Sequence, residues 1–319
     1  MYHYFFSIVA MFFLVNISFS DQNPGGSKIL KETIRQDWQD SGWFNTQCFT
    51  YLYNSKGVKT EENIKTWENG KWLTGHKLFY NYDKNGNLTE IQYYLKHFKP
   101  DTFLLSNVRS FTYNNKGNVL SKETFQPGAY LTKSTETYTR NKRCQLIELQ
   151  TKNYFANEWH NGKKEVYSYN KHGEKISAAI YSWSGLFNTL CKTEEFAYNV
   201  SDKQCQREEI HSYCSCESKK CDPLIKTVYN YDSSGDTISI VNSSLKDNHW
   251  VVTSNIVFTF QPNRKHYERL THSGGNNGLL EQEKSICAFN QKGTIKVDTT
   301  YSFKDGCWRK SYLMQYFYE

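Results

Sequence analysis

The stretch Tyr80-Asn81-Tyr82-Asp83-Lys84-Asn85-Gly86-Asn87-Leu88-Thr89 decides how this chain is read. Two aromatics at alternate positions put both rings on one face of an extended strand. The Asx that follows can bond backbone ahead of it, and the glycine three places on accepts a left-handed conformation, so the strand ends in a tight turn and reverses.

The pattern recurs throughout the chain. Its second aromatic position falls at 53, 82, 113, 140, 169, 198, 231, 260, 289 and 318, at spacings of 29, 31, 27, 29, 29, 33, 29, 29 and 29. Nine of the ten positions are aromatic and Arg140 is the exception. The position two residues earlier runs from Tyr51 and Tyr80 to Tyr316, with Cys287 departing. Ten residues before the anchor stand Trp43, Trp72, Phe103, Tyr130, Trp159, Trp250 and Trp308. Separations of 2 and 10 are both even, so an unbroken strand would carry all three rows on one face. Glu68-Asn69-Gly70-Lys71, His160-Asn161-Gly162-Lys163 and Lys304-Asp305-Gly306 supply turns at the other hairpin end.

About ten 29-residue hairpins therefore form one all-β antiparallel meander of some twenty strands. Strand twist accumulates across so many strands, and the expected outcome is a superhelical strip or spiral. A closed large barrel and a propeller are the alternatives. Residues 38–319 read as one repeat domain, and 21–37 as a polar N-terminal segment beginning with a helical turn near Leu30.

Composition agrees with this class, at 16% aromatic residues, 5 Pro and 3 Met. Residues 1–20 hold no Lys, Arg, Asp or Glu around an apolar run from Phe5 to Val15. They read as a signal peptide, which implies a secreted, extracellular or cell-surface protein, or a periplasmic one. No later apolar run is long enough to span a membrane as a helix. The net charge of +7 is mild and lacks runs of like sign, so nucleic acid is not an expected partner.

Nine cysteines remain, and Cys205, Cys214, Cys216 and Cys221 crowd the hairpin stretched to 33 residues. Disulfides are expected there, with connectivity open, in preference to a four-thiolate metal site. The odd total requires a free thiol or an intermolecular bond. No metalloprotease, nucleophile-elbow or phosphate-loop motif is present, so neither catalytic residues, metal nor cofactor are expected. His76, His97 and His160 read as solvated, and the Asx-x-x-Gly turns as turns, not calcium loops.

The segments Tyr80 to Thr89 and Tyr229-Asn230-Tyr231-Asp232-Ser233-Ser234-Gly235-Asp236-Thr237-Ile238 resemble the tyrosine-aspartate repeats of the RHS type. Trp67-Glu68-Asn69-Gly70-Lys71-Trp72 looks like a piece found beside such repeats in secreted proteins of Bacteroidota. The resemblance implies an extracellular scaffold and carries over no catalytic residue.

The leading functional expectation is a non-enzymatic scaffold that binds a polysaccharide or an extracellular protein. Trp43, Trp72, Trp159, Trp250 and Trp308 are its candidate ligand-binding residues, because flat aromatic faces stack on sugar rings. The alternatives are a secreted carbohydrate-active enzyme with a cross-strand site and an outer-membrane β-barrel. The last is disfavoured because its lipid-facing band would include charges such as Arg109 or Lys77.

Overall fold

The computed structural model describes residues 29–39, 42–99, 102–127, 132–155, 158–184, 189–201, 206–215, 217–234, 236–260, 266–275, 278–289, 294–304 and 306–318. The signal-peptide reading, Tyr130, Cys205 and Cys216 lie outside the described residues. The strands are β1 (Leu30–Gln39), β2 (Gly42–Tyr53), β3 (Lys59–Glu68), β4 (Lys71–Tyr82), β5 (Leu88–Lys96), β6 (Phe103–Tyr113) and β7 (Val119–Gln126). They continue with β8 (Thr132–Arg140), β9 (Leu146–Phe155), β10 (Glu158–Tyr169), β11 (Lys175–Ser184), β12 (Thr189–Ser201), β13 (Gln206–Cys214) and β14 (Cys221–Tyr231). The last six are β15 (Thr237–Lys246), β16 (His249–Phe260), β17 (His266–Gly275), β18 (Gly278–Phe289), β19 (Ile295–Lys304) and β20 (Cys307–Tyr318).

Each strand pairs antiparallel with the next in the chain. β1 also pairs with β20, Thr33 opposite Tyr316 and Asp37 opposite Tyr312. The 20-stranded sheet is thus a closed barrel, not the spiral strip expected. The correction has a local cause. Leu30 to Asp37 is the first strand rather than a helical turn, and it supplies the partner that β20 would otherwise lack. Closure leaves no free edge. From ~4.8 Å strand spacing and 35–45° tilt, the wall is about 40 Å across between backbones. Among the described residues packing is concentrated between ring neighbours, and none of these strands fills the middle.

The turns follow the chemistry read from the sequence. Asn54 Oδ1 accepts from Lys56 N and Val58 N, and Gly57 adopts φ +76°. Asp83 accepts from Asn85 N and Asn87 N, and Asn87 Nδ2 donates to its other oxygen. These carboxylate oxygens are satisfied by the turn itself.

A second device is invisible in the spacing. In most even-numbered strands one residue is left without a partner: Thr46 in β2, Gly75 in β4, Ser106 in β6, Thr193 in β12, Thr253 in β16 and Ser311 in β20. These are β-bulges, which sharpen local twist and bend the strand, as closing a sheet requires. Thr46, Thr193 and Thr253 each donate Oγ1 across to a partner-strand carbonyl, at 3.2, 3.4 and 3.2 Å.

The bulge also reverses side-chain parity. Tyr51 and Tyr53 share one face as expected, but the extra residue at 46 sends Trp43 to the other face, beside Trp38. The expectation that all three aromatic rows line one face is therefore overturned. Among the described residues, seven of the nine that are buried lie on the tyrosine face: Thr33, Asn107, Ala178, Ile180, Ser285, Cys287 and Thr300. Inward side chains converge in a closed wall, so this face lines the lumen and the tryptophan face is outward.

Candidate functional site: the lumen wall

On the inner wall the second tyrosine of four pairs is tied to backbone. Tyr53, Tyr82, Tyr113 and Tyr169 donate to the carbonyls of Leu30, Lys59, Leu88 and Leu146 at 2.7 to 2.9 Å. Each carbonyl begins the strand before its tyrosine, so the ring is held flat along the wall near the rim with the Asx turns. The first tyrosine is tied to a carboxylate instead. Tyr80 donates to Glu62 at 2.9 Å, Tyr138 to Glu136 at 2.6 Å, and Tyr167 to Glu165.

Cations complete these clusters. Lys59 Nζ is 2.8 Å from Glu62 and stands 4.3 Å from the Tyr80 ring centroid and 5.5 Å from that of Tyr51. Lys122 reaches Glu136 at 2.7 Å, Lys175 lies over Tyr167, and Arg207 over Tyr229. His211 stacks on Phe196 at 4.3 Å and its Nε2 is 2.9 Å from Glu194. Burial pushes the Tyr51 hydroxyl up to about 12. Burial and then Glu62 raise Tyr80, and burial and then Glu136 raise Tyr138. The tyrosines therefore stay neutral donors at physiological pH, a lining suited to hydroxyl-rich solutes.

A denser cluster lies across β17, β18 and β19. Arg269 Nη2 donates to Glu283 and, at 3.0 Å, to Ser285, which meets Thr300 at 3.0 Å. Cys287 is 1% exposed beside Asp298 and Tyr267, and burial pushes its thiol up to about 12. Burial also raises Asp298, against the opposing pull of Cys287 and Arg269. Asp298 Oδ1 and Arg269 Nε are buried without hydrogen-bond partners.

Because the folded state holds Asp298 above its unfolded pKa, this group favours folding fully below about pH 4, and that contribution is lost as pH rises through the folded pKa. Asp298→Asn is expected to raise the melting temperature at pH 7 by roughly 2–4 °C, a shift of about 1 kcal/mol, and to leave it unchanged near pH 3. Melting curves from pH 3 to 8 check this. Equal curves at pH 7 would mean the buried carboxylate costs nothing.

The candidate tryptophans lie outside, spread round the ring on β2, β4, β10, β16 and β20. Trp43, Trp72, Trp159 and Trp308 form edge-to-face pairs with Trp38, Trp67, Tyr154 and Phe303, at 4.9 to 5.3 Å, near the rim opposite the Asx turns. Trp250 sits opposite Leu245, with Lys226 over its ring at 5.2 Å. Trp159 is 50% exposed and Trp67 38%. Sequence reasoning missed the lumen tyrosines as a site because it treated all aromatic rows as one face. Their signal was present in the Tyr-x-Tyr pairs.

Cys214 and Cys221 form a disulfide across the end of the β13–β14 hairpin. Cys191 is also disulfide-bonded, while Cys48, Cys144, Cys287 and Cys307 are free. His76, expected to be solvated, stacks on Tyr93 and shares a hydrogen bond with it.

The outer wall is ionic as well. Lys164–Glu148, Lys226–Glu208 and Lys284–Glu268 pair at 2.9, 4.0 and 2.9 Å. Register puts Lys77 on this outer face and Arg109 inside. No helix of the described residues is long and apolar enough to cross a membrane.

No family model matches the chain, and no curated protein matches it. Among solved structures it is similar to a protein of unknown function from Bacteroides fragilis NCTC 9343, at 15% identity over 41% of this chain and 94% of that one, TM-score 0.36. It is also similar to a porin-like protein from Bacteroides uniformis ATCC 8492, at 10% identity over 91% and 98% of the two chains, TM-score 0.35. A DUF3836 family protein from Bacteroides vulgatus ATCC 8482 matches at 9% identity over 28% and 90%, TM-score 0.26. At these values the likenesses carry no argument about activity. The closed ring itself has the architecture of the outer-membrane alternative, and nothing in it speaks for the external scaffold.

Proposed function

We propose that the chain is a hollow barrel of the cell surface whose water-filled lumen takes in polar solutes, carbohydrate foremost, against neutral tyrosine faces. The observation that carries this is closure around a middle that none of the described strands fills, lined by tyrosines and paired charges. About 25 Å of lumen remains once side chains are allowed for, and barrels of 16 to 18 strands already enclose aqueous channels. The proposal assigns the wall no chemistry.

The outer face favours a wall standing in water. Its apolar residues on β14 to β18, Val228, Val241, Val257, Leu270 and Ile286, have the ion pairs Lys226–Glu208 and Lys284–Glu268 at their two ends, with Ser239, Ser243 and Asn255 beside them on β15 and β16. A lipid-facing band is about 25 Å tall, and each lysine at its middle costs roughly 2–4 kcal/mol. A second reading, the outer-membrane barrel, is favoured by the closed ring, since only helices and edge-free barrels satisfy their backbone in lipid.

The test is purification of residues 21–319 without detergent, oligosaccharide titration followed by intrinsic fluorescence, and addition to planar bilayers. We expect a soluble protein with saturable quenching that Tyr80→Ala weakens. Stepwise conductance with vesicle co-flotation would establish the membrane reading instead. Absence of both quenching and conductance would end both readings.

A further inference from the structure

The rim that carries the Asx turns has a charge pattern the wall lacks. Along the wall, basic groups are matched with acids, as in Lys59–Glu62, Lys122–Glu136, Lys164–Glu148 and Lys284–Glu268, or lie over rings, as Lys77, Lys133 and Lys310 do. At the tips of five successive turns stand Lys56, Lys84, Lys116, Lys142 with Arg143, and Lys171, all exposed. None of them makes an ion pair among the described residues. Two acids lie close by. Asp83 is engaged by its own turn, and Glu174 accepts from Asn170 Nδ2.

Contacts between turns weld the last four of these tips into one ledge. Asn87 lies against Gly117, Lys116 Nζ reaches Cys144 Sγ at 3.7 Å, and Arg143 Nη1 donates to the Lys171 carbonyl at 2.9 Å. Gln145 Nε2 donates to the Gly173 carbonyl, also at 2.9 Å. Adjacent turns are two strands apart, roughly 10 Å, so the five tips span an arc of about 40 Å. The next described turn, opened by Asp232 and closed by Asp236, is acidic.

Six like charges held unpaired along this rim repel one another unless a counter-anion is present. We infer that this rim, over the turns between β2 and β11, binds a linear acidic polysaccharide that lies along the arc. A polymer is favoured over a small anion because the charges are distributed over five turns, roughly 10 Å from one turn to the next, instead of gathering at one. A polyanion bound this way releases counterions, so its affinity falls steeply with salt. The inference stands on the rim alone and is independent of the lumen.

The test uses residues 21–319 and fluorescent dextran sulfate, with neutral dextran as control. One variant carries Lys56→Gln, Lys84→Gln, Lys116→Gln, Lys142→Gln and Lys171→Gln. A second removes five charges at the opposite end, by Lys71→Gln, Lys96→Gln, Lys99→Gln, Lys246→Gln and Lys304→Gln. The expected result is at least a tenfold loss of affinity and a shallower salt dependence for the first variant, with the second within twofold of the native chain and both melting normally. Equal losses in the two variants would show general charge attraction and overturn the site, as would unchanged binding by the first. Tighter, rim-dependent binding to vesicles of phosphatidylglycerol than to dextran sulfate would overturn the polysaccharide as partner.

Discussion

Removing residues 1–39 is expected to abolish the cooperative monomeric fold, although it deletes only one strand of twenty. β1 is paired along its length with β2 on one side and β20 on the other. Ten or so inter-strand hydrogen bonds at a net ~0.5–1.5 kcal/mol each amount to about 10 kcal/mol, comparable with the whole stability of an ordinary domain. The loss also exposes two long edges, on β2 and β20, that invite pairing with other chains. Size-exclusion chromatography with light scattering should show oligomers or aggregate, and thermal melts should lose their sharp transition. A spiral strip would behave otherwise, because trimming its end leaves every other pairing intact. A truncated chain that stays monomeric and melts within about 2 °C of the native protein would mean that β1 does not close the ring.

Deletion of Thr253 is expected to be far more damaging than its substitution. Thr253→Val keeps the chain length and loses one hydroxyl donated to the Asn242 carbonyl, which costs about 1 kcal/mol. Deletion removes the unpaired residue between Ser254 and Val252 and restores strict alternation across β16. Either Trp250 turns inward, leaving Leu245 and Lys226, or Phe258 turns outward, leaving the lumen wall. A one-residue slip moves every side chain beyond it to the other face, and misplacing a large aromatic costs roughly 3–5 kcal/mol. Chemical denaturation of both variants measures the difference. If deletion proved as mild as Thr253→Val, the bulge would not be what sorts the two aromatic rows.

The sequence by itself determined the strands and one set of turns. Tyr51, Tyr53, Asn54 and Gly57, and their equivalents, read correctly because alternation, Asx bonding and left-handed glycine are local properties that no distant contact has to supply. It also placed a disulfide among four cysteines, though not the choice of Cys214 with Cys221, which depends on the strand ends meeting across a hairpin. Three things were decided only by tertiary structure. Closure depended on whether β1 and β20 meet, and these are nearly 300 residues apart, beyond any local pattern. The facing of Trp43, Trp72, Trp159, Trp250 and Trp308 depended on bulges that add a residue without altering the 29-residue spacing, so counting alone assumed an unbroken strand. The basic ledge depended on tips about 29 residues apart along the chain becoming neighbours about 10 Å apart in space. In each case the local chemistry was written in the residues, while its placement followed from how a twisted sheet bends until its two edges pair.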